Sequence, residues 1–112
     1  MSDLASSTCE ACRIDAPTVS NEKVFELIKE IEGWELVDKG VKKLKKEFTF
    51  SNYRDSVDFS NKVADMADQE DHHPQIILEW GKVTVAWWSH KIKGLHKNDF
   101  ICAAKTNNIY KG

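Results

Sequence analysis

The sequence predicts an α+β fold, a four-stranded antiparallel sheet with three helices packed on one face, in the order α-β-β-α-β-β-α. Three observations lead to it. Apolar residues recur at helical spacing in three separate stretches, two strand-like pairs lie between them, and each pair is joined by a short glycine-bearing turn. Hairpins alternating with helices leave one sheet face for the helices and the other for solvent, a ligand or another subunit.

The first helix is expected over residues 21–32. Ser20 is a good N-cap, Val19 and Val24 are placed as a hydrophobic staple, and Val24, Leu27, Ile28 and Ile31 form an apolar stripe. Gly33 supplies the stop. Residues 34–37 and 41–50 read as strands joined across Asp38-Lys39-Gly40. In the second of these, Lys42, Lys43, Lys45 and Lys46 alternate with Val41, Leu44, Phe48 and Phe50 and read as the solvated side of the strand.

Ser51 or Asn52 caps a second helix, in which Tyr53, Val57, Ser60, Ala64 and Ala67 recur beside Phe59, Val63 and Met66. Pro74 pushes its predecessor out of the helical region, so this helix ends near Glu70 or Asp71. Residues 75–80 and 82–90 form the second strand pair, with a Gly81-Lys82 turn suited to type II′. Alternation puts Val83, Val85 and Trp87 on the core face and Thr84, Ala86, Trp88 and His90 on the other. A third helix runs over about residues 98–109, with Cys102 as a small core residue.

Length and composition fit one domain. Of the 112 residues 41% are hydrophobic and 30% charged, an ordinary globular profile long enough for a single core. Residues 1–18 show no sustained period and read as a flexible tail, leaving residues 19–112 as the single domain. A net charge of −2 argues against a nucleic-acid partner. No apolar run approaches the roughly 20 residues of a membrane span, and the first residues lack a signal-peptide layout, so the expected compartment is the cytoplasm. Three cysteines close no disulfide framework. Cys9 and Cys12 have metal or redox spacing, but no second pair completes a zinc site and they fall in the tail.

The residues with chemistry to offer cluster late in the chain. Asp68 and His72 stand four apart at the end of the second helix, where the carboxylate can orient the imidazole. His73 must point elsewhere, so the adjacent pair plays two roles. His90, at the end of the last strand, lies near the start of the strand that follows Pro74, so three imidazoles converge. Histidine can both donate and accept protons near neutrality, and eliminating water needs both functions. The same three histidines with Asp68, Asp71 or Asp99 also match the ligand types of zinc or iron, and spacing leaves both readings open.

The stretch Asp68-Gln69-Glu70-Asp71-His72-His73-Pro74, then Trp80, Ser89-His90, Gly94-Leu95 and Asp99, resembles the signature of pterin-4a-carbinolamine dehydratases. Gly33-Trp34, Phe48-Thr49-Phe50 and the Phe59, Val63, Ala64 positions fit as well, so the likeness spans about residues 19–105. It implies an enzyme without metal or organic cofactor that dehydrates 4a-hydroxytetrahydropterin to quinonoid dihydropterin. That reaction regenerates the pterin used by aromatic amino-acid hydroxylases, which links the chain to phenylalanine hydroxylase. Carried over by position, His72 and His90 are the acid/base pair, His73 binds pterin and assists, and Asp99 and Asp68 orient imidazoles. Asp71, Pro74, Ser89 and Lys91 line the substrate pocket, and Trp88 walls the pterin ring or meets the core or another subunit.

The family also implies a homodimer or homotetramer. It contains members that serve as dimerisation cofactors of a transcription regulator and others tied to molybdopterin metabolism. One position departs from the pattern. Where many relatives carry Thr or Ser after Gly-Leu, this chain has His96, so helix capping is expected to shift to Asn98.

Overall fold

The computed structural model describes residues 20–89 and 94–112. Its elements follow the expected order: α1 (Asn21–Ile28), β1 (Glu35–Asp38), β2 (Lys42–Thr49), α2 (Tyr53–Glu70), β3 (Gln75–Glu79), β4 (Lys82–Trp87) and α3 (Lys97–Lys111). Every strand pairing is antiparallel and the sheet order is β1-β2-β4-β3. The two hairpins therefore join through β2 and β4, which places the longest strand and the strand that leads to Ser89 at the centre.

Local chemistry explains the element ends. The Ser20 side chain accepts from the Lys23 amide, as its N-cap role requires; Val19, the other half of the expected staple, lies outside the described residues. Regular α1 stops at Ile28, four residues short of the expected end. Single turns then carry the chain through Ile31 to Gly33, whose φ of +83° is open to glycine. At α2 the cap is Asn52, whose Oδ1 accepts from the Asp55 amide at 2.8 Å.

The β3–β4 turn differs from expectation by one residue. Glu79 pairs with Lys82, so Trp80 and Gly81 are the loop, and the positive φ of +69° falls on its second residue. A positive angle there belongs to a type II turn, not the type II′ expected from Gly81-Lys82. The Gly81 carbonyl accepts from the Phe50 amide at 2.8 Å, tying the turn to the end of β2.

The core lies between the helices and the face carrying Leu44, Phe48, Val83, Val85 and Trp87, all essentially without solvent contact. Val83, Val85 and Trp87 are thus on the core face as alternation requires. In α2 the buried side is Ser56, Phe59, Val63, Met66 and Ala67, whereas Tyr53 and Ala64 of the first-named stripe face solvent. Phe59 and Val63, four apart, set that face, because aromatic and aliphatic bulk outweighs alanine in the area it removes from water.

Lys46 also departs from expectation. It is two residues from both Leu44 and Phe48, so the strand's period turns it toward the helices. Its ammonium donates to the Glu32 carbonyl at 2.8 Å and to Asn107 Oδ1 at 2.9 Å. Asn107 Oδ1 also accepts from Trp34 Nε1 at 2.9 Å, so one side chain of α3 ties the end of the α1 region to β2. Burial holds the Lys46 ammonium below the ordinary lysine value; Glu32 opposes that displacement and Lys111 adds to it.

Every residue of α3 from Asn98 to Ala104 is buried. Cys102, Ala103 and Ala104 are small enough to let the backbone come close to its neighbours, and Thr106 accepts from Trp87 Nε1 at 3.1 Å while donating to the Cys102 carbonyl. This helix delivers a charged residue, Asp99, into the interior.

Candidate active site

Two chain reversals build the site. The first is the end of α2. Asp71 takes the left-handed conformation, φ 50° and ψ 41°, and the His72 amide donates back to the Ala67 carbonyl at 3.1 Å. That is a Schellman-type stop, with Asp in the place glycine usually takes. It turns the chain so that consecutive histidines part company: His72 is 4% exposed and His73 59% exposed.

The carboxylate partners are not those expected from spacing. Asp68 does not meet His72. Its Oδ1 lies 3.0 Å from His73 Nε2 at the surface, because His72 is already past the helix end and has been turned inward. His72 Nε2 lies 2.6 Å from Asp99 Oδ1, and Asp99 has no solvent exposure. The His72 ring stacks against the Trp87 indole, with centroids 5.5 Å apart and planes 21° apart.

The second reversal is the start of α3. His96 is the N-cap: its Nδ1 accepts from the Asn98 amide at 3.1 Å, and Asp99 Oδ2 accepts from the His96 amide at 2.8 Å. Capping stays at His96 and does not shift to Asn98, since an unprotonated imidazole nitrogen offers the lone pair that a Ser or Thr oxygen would. Ser89, fully buried just beyond β4, donates its hydroxyl to the same Oδ2 at 2.9 Å. Asp99 Oδ2 thus accepts from two groups, and an ionised carboxylate is an acceptor only. Toward it His72 Nε2 acts as the donor, and in the neutral imidazole Nδ1 is then the nitrogen with the free lone pair.

Ser89 and Gly94 pair as an isolated antiparallel bridge. His90 and Lys91, between them, lie outside the described residues. Pro74 is half-buried at the entry to β3, and Asp71 is exposed. Trp88 is half-buried, and the Lys43 ammonium sits 4.1 Å from its ring centroid on the sheet face away from the helices. A cleft of about 430 Å³ is lined by Lys62, Met66, Gln69, Lys105 and Ile109 of α2 and α3 and includes none of these site residues. Among the described residues, no three His, Cys, Asp or Glu side chains are grouped to hold a metal ion.

Three contacts escaped sequence reasoning: Ser89 to Asp99, Asp99 to the His96 amide, and His72 on Trp87. The second had a signal. His96-x-x-Asp99 has the spacing of a capping box, with His in place of Ser or Thr and Asp in place of Glu.

Fold and site together define an α+β protein with a buried histidine–carboxylate pair at the junction of a helix end, a central strand and a helix start, an arrangement suited to proton transfer. The model of the family described as "Pterin 4 alpha carbinolamine dehydratase" matches residues 17–109. A Photobacterium profundum protein named for that dehydratase is 56% identical over 108 residues, covering 96% of each chain, and one from Saccharophagus degradans is 50% identical over 113 residues and the whole of both. The chain belongs to the pterin-4a-carbinolamine dehydratase family. Among solved structures, a transcriptional coactivator/pterin dehydratase from Brucella melitensis superposes with a TM-score of 0.78 at 26% identity, over 83% of this chain and 98% of that one.

Proposed function

We propose that this chain dehydrates 4a-hydroxytetrahydropterin to quinonoid dihydropterin and water, with His72 and His90 as the acid/base pair. The observation that carries this reading is the buried His72–Asp99 contact in a chain of this family. With Nε2–H given to Asp99, Nδ1 of His72 is the nitrogen able to take a proton, and Asp99 meets the positive charge that then forms.

In this mechanism the ring nitrogen next to the hydroxyl-bearing carbon gives its proton to His72. Its N–H electrons form the C=N bond as the C–O bond breaks, and the oxygen leaves as water with a proton from His90. Solvent exchange returns both imidazoles to their starting states. His73 and Asp68, exposed beside the helix end, bind and orient the pterin, with Asp71, Pro74, Trp88 and Lys91 as the further substrate contacts carried over from the resemblance; Ser89, carried over with them, is fully buried with its hydroxyl given to Asp99.

Stopped-flow absorbance on enzymatically generated 4a-hydroxytetrahydropterin tests this. His72→Ala and His90→Ala are each expected to slow dehydration by about 10²-fold or more. Unchanged rates in both variants would sink the assignment.

The setting proposed is cytoplasmic recycling of pterin for an aromatic amino-acid hydroxylase such as phenylalanine hydroxylase, in a homodimer or homotetramer. Two features support assembly: the terminal strands β1 and β3 each pair on one side only in the sheet, and Ile77 remains 45% exposed on the face away from the helices. A role as an interaction partner of a transcription regulator is the second reading, favoured by the resemblance in fold to the Brucella coactivator/dehydratase. Co-purification of the regulator with His72→Ala protein, at full strength, would support it.

A further inference from the structure

We propose that Ser89 and His96 are positioning residues for His72, acting through Asp99. The proposal rests on the reading of His72 as an acid/base group and adds the side chains that set its orientation and tautomer. The Asp99 carboxylate has two oxygens with different duties. Oδ2 accepts from the Ser89 hydroxyl at 2.9 Å and the His96 amide at 2.8 Å, and Oδ1 is thereby presented to His72 Nε2 at 2.6 Å.

Each donor comes from a separate part of the chain. Ser89 follows β4, and His96 opens α3, where its own imidazole holds the Asn98 amide and so fixes the first helical turn, in which Asp99 sits. Two donors on one oxygen remove the carboxylate's freedom to rotate, which is otherwise open to a short acidic side chain. A carboxylate turned away from His72 would leave the imidazole free to take the other tautomer, with the hydrogen on Nδ1, and that form cannot accept a proton there. Among the described residues Asp99 is the carboxylate that meets His72, so its orientation sets which ring nitrogen carries the hydrogen.

The test uses the full-length protein with Ser89→Ala, His96→Ala and His96→Asn, the last retaining a side chain able to cap. Long-range ¹⁵N–¹H spectra report the His72 tautomer directly. The wild type is expected to show the Nε2–H form, and both alanine variants a mixture; His96→Asn restores the wild-type pattern. In turnover, Ser89→Ala and His96→Ala are expected to lower kcat about tenfold with KM within about twofold. In an Asp99→Asn background the further loss should shrink to less than about twofold, because the groups act through one carboxylate.

Equal losses in both backgrounds, or losses confined to KM, would overturn the proposal. So would an unchanged His72 tautomer in both folded alanine variants, while loss of activity in His72→Ala left the acid/base reading standing. If the tautomer moves and the rate does not, the positioning holds and it is the acid/base role of His72 that fails.

Discussion

Asp99 holds His72 at 2.6 Å in the protein interior, 0% and 4% exposed respectively. Removing one partner strands the other in the interior, where an uncompensated polar or charged group is costly. Asp99→Ala is therefore expected to lower stability by about 3–5 kcal/mol, read from urea midpoints. Asp99→Asn fills the same volume but can offer an N–H where an acceptor is needed. It is expected to cut kcat by about 10²-fold or more while the far-ultraviolet spectrum is retained.

The other histidine–carboxylate pair should behave differently. His73 and Asp68 meet at 3.0 Å with 59% and 80% of their side chains exposed, so solvent screens them. Asp68→Asn is expected to change stability by less than about 1 kcal/mol, with any effect fading in high salt. His73→Ala should raise KM in the stopped-flow assay without moving the denaturation midpoint.

Asp71 separates backbone from chemistry. Its φ of 50° carries a steric cost that glycine avoids. Asp71→Gly is expected to leave the midpoint unchanged or raise stability by up to about 1 kcal/mol, and Asp71→Val to lower it by about 1–2 kcal/mol. A KM increase in Asp71→Gly alongside retained stability would show that the carboxylate contacts substrate.

Lys46 gives a pH prediction. Burial lowers its native pKa below 10.5, so the unfolded chain holds this proton more tightly than the folded one. Unfolding takes up a proton in the interval between the lowered value and 10.5, and stability from this group rises with pH across it. Below that interval the lysine is charged in both states and contributes no slope. A neutral amine still has two N–H donors for the Glu32 carbonyl and Asn107 Oδ1, so losing the proton keeps both bonds. Thermal midpoints of wild type and Lys46→Met, compared over the alkaline range, should run parallel below the interval's start and diverge in slope within it.

The fold was legible because periodicity and turn residues agree at nearly every step: Val83, Val85 and Trp87 alternate, and Phe59 and Val63 repeat at helical spacing. The site was legible in its residue types but not in its pairings. Asp68 and His72 sit four apart, and the i,i+4 rule holds only while the helix continues. A single left-handed residue, Asp71, hands that partner to His73 instead. The Asp99–His72 contact bridges 27 positions of sequence and depends on how α3 docks under β4, which no local pattern encodes. Lys46 was misread for the opposite reason: its place in a lysine-rich run suggested solvent, while the strand's period of two turned it inward.

The His96–Asp99 capping box has a consequence for the order in which the protein assembles. The carboxylate that closes the first turn of α3 is the one His72 needs, so helix formation and site formation draw on the same atoms. A native-like α3 carrying an unmade site is a poorly populated species. Amide protons at the start of α3 should then exchange only through the opening that also releases His72, and enzymatic activity should return during refolding in step with their protection.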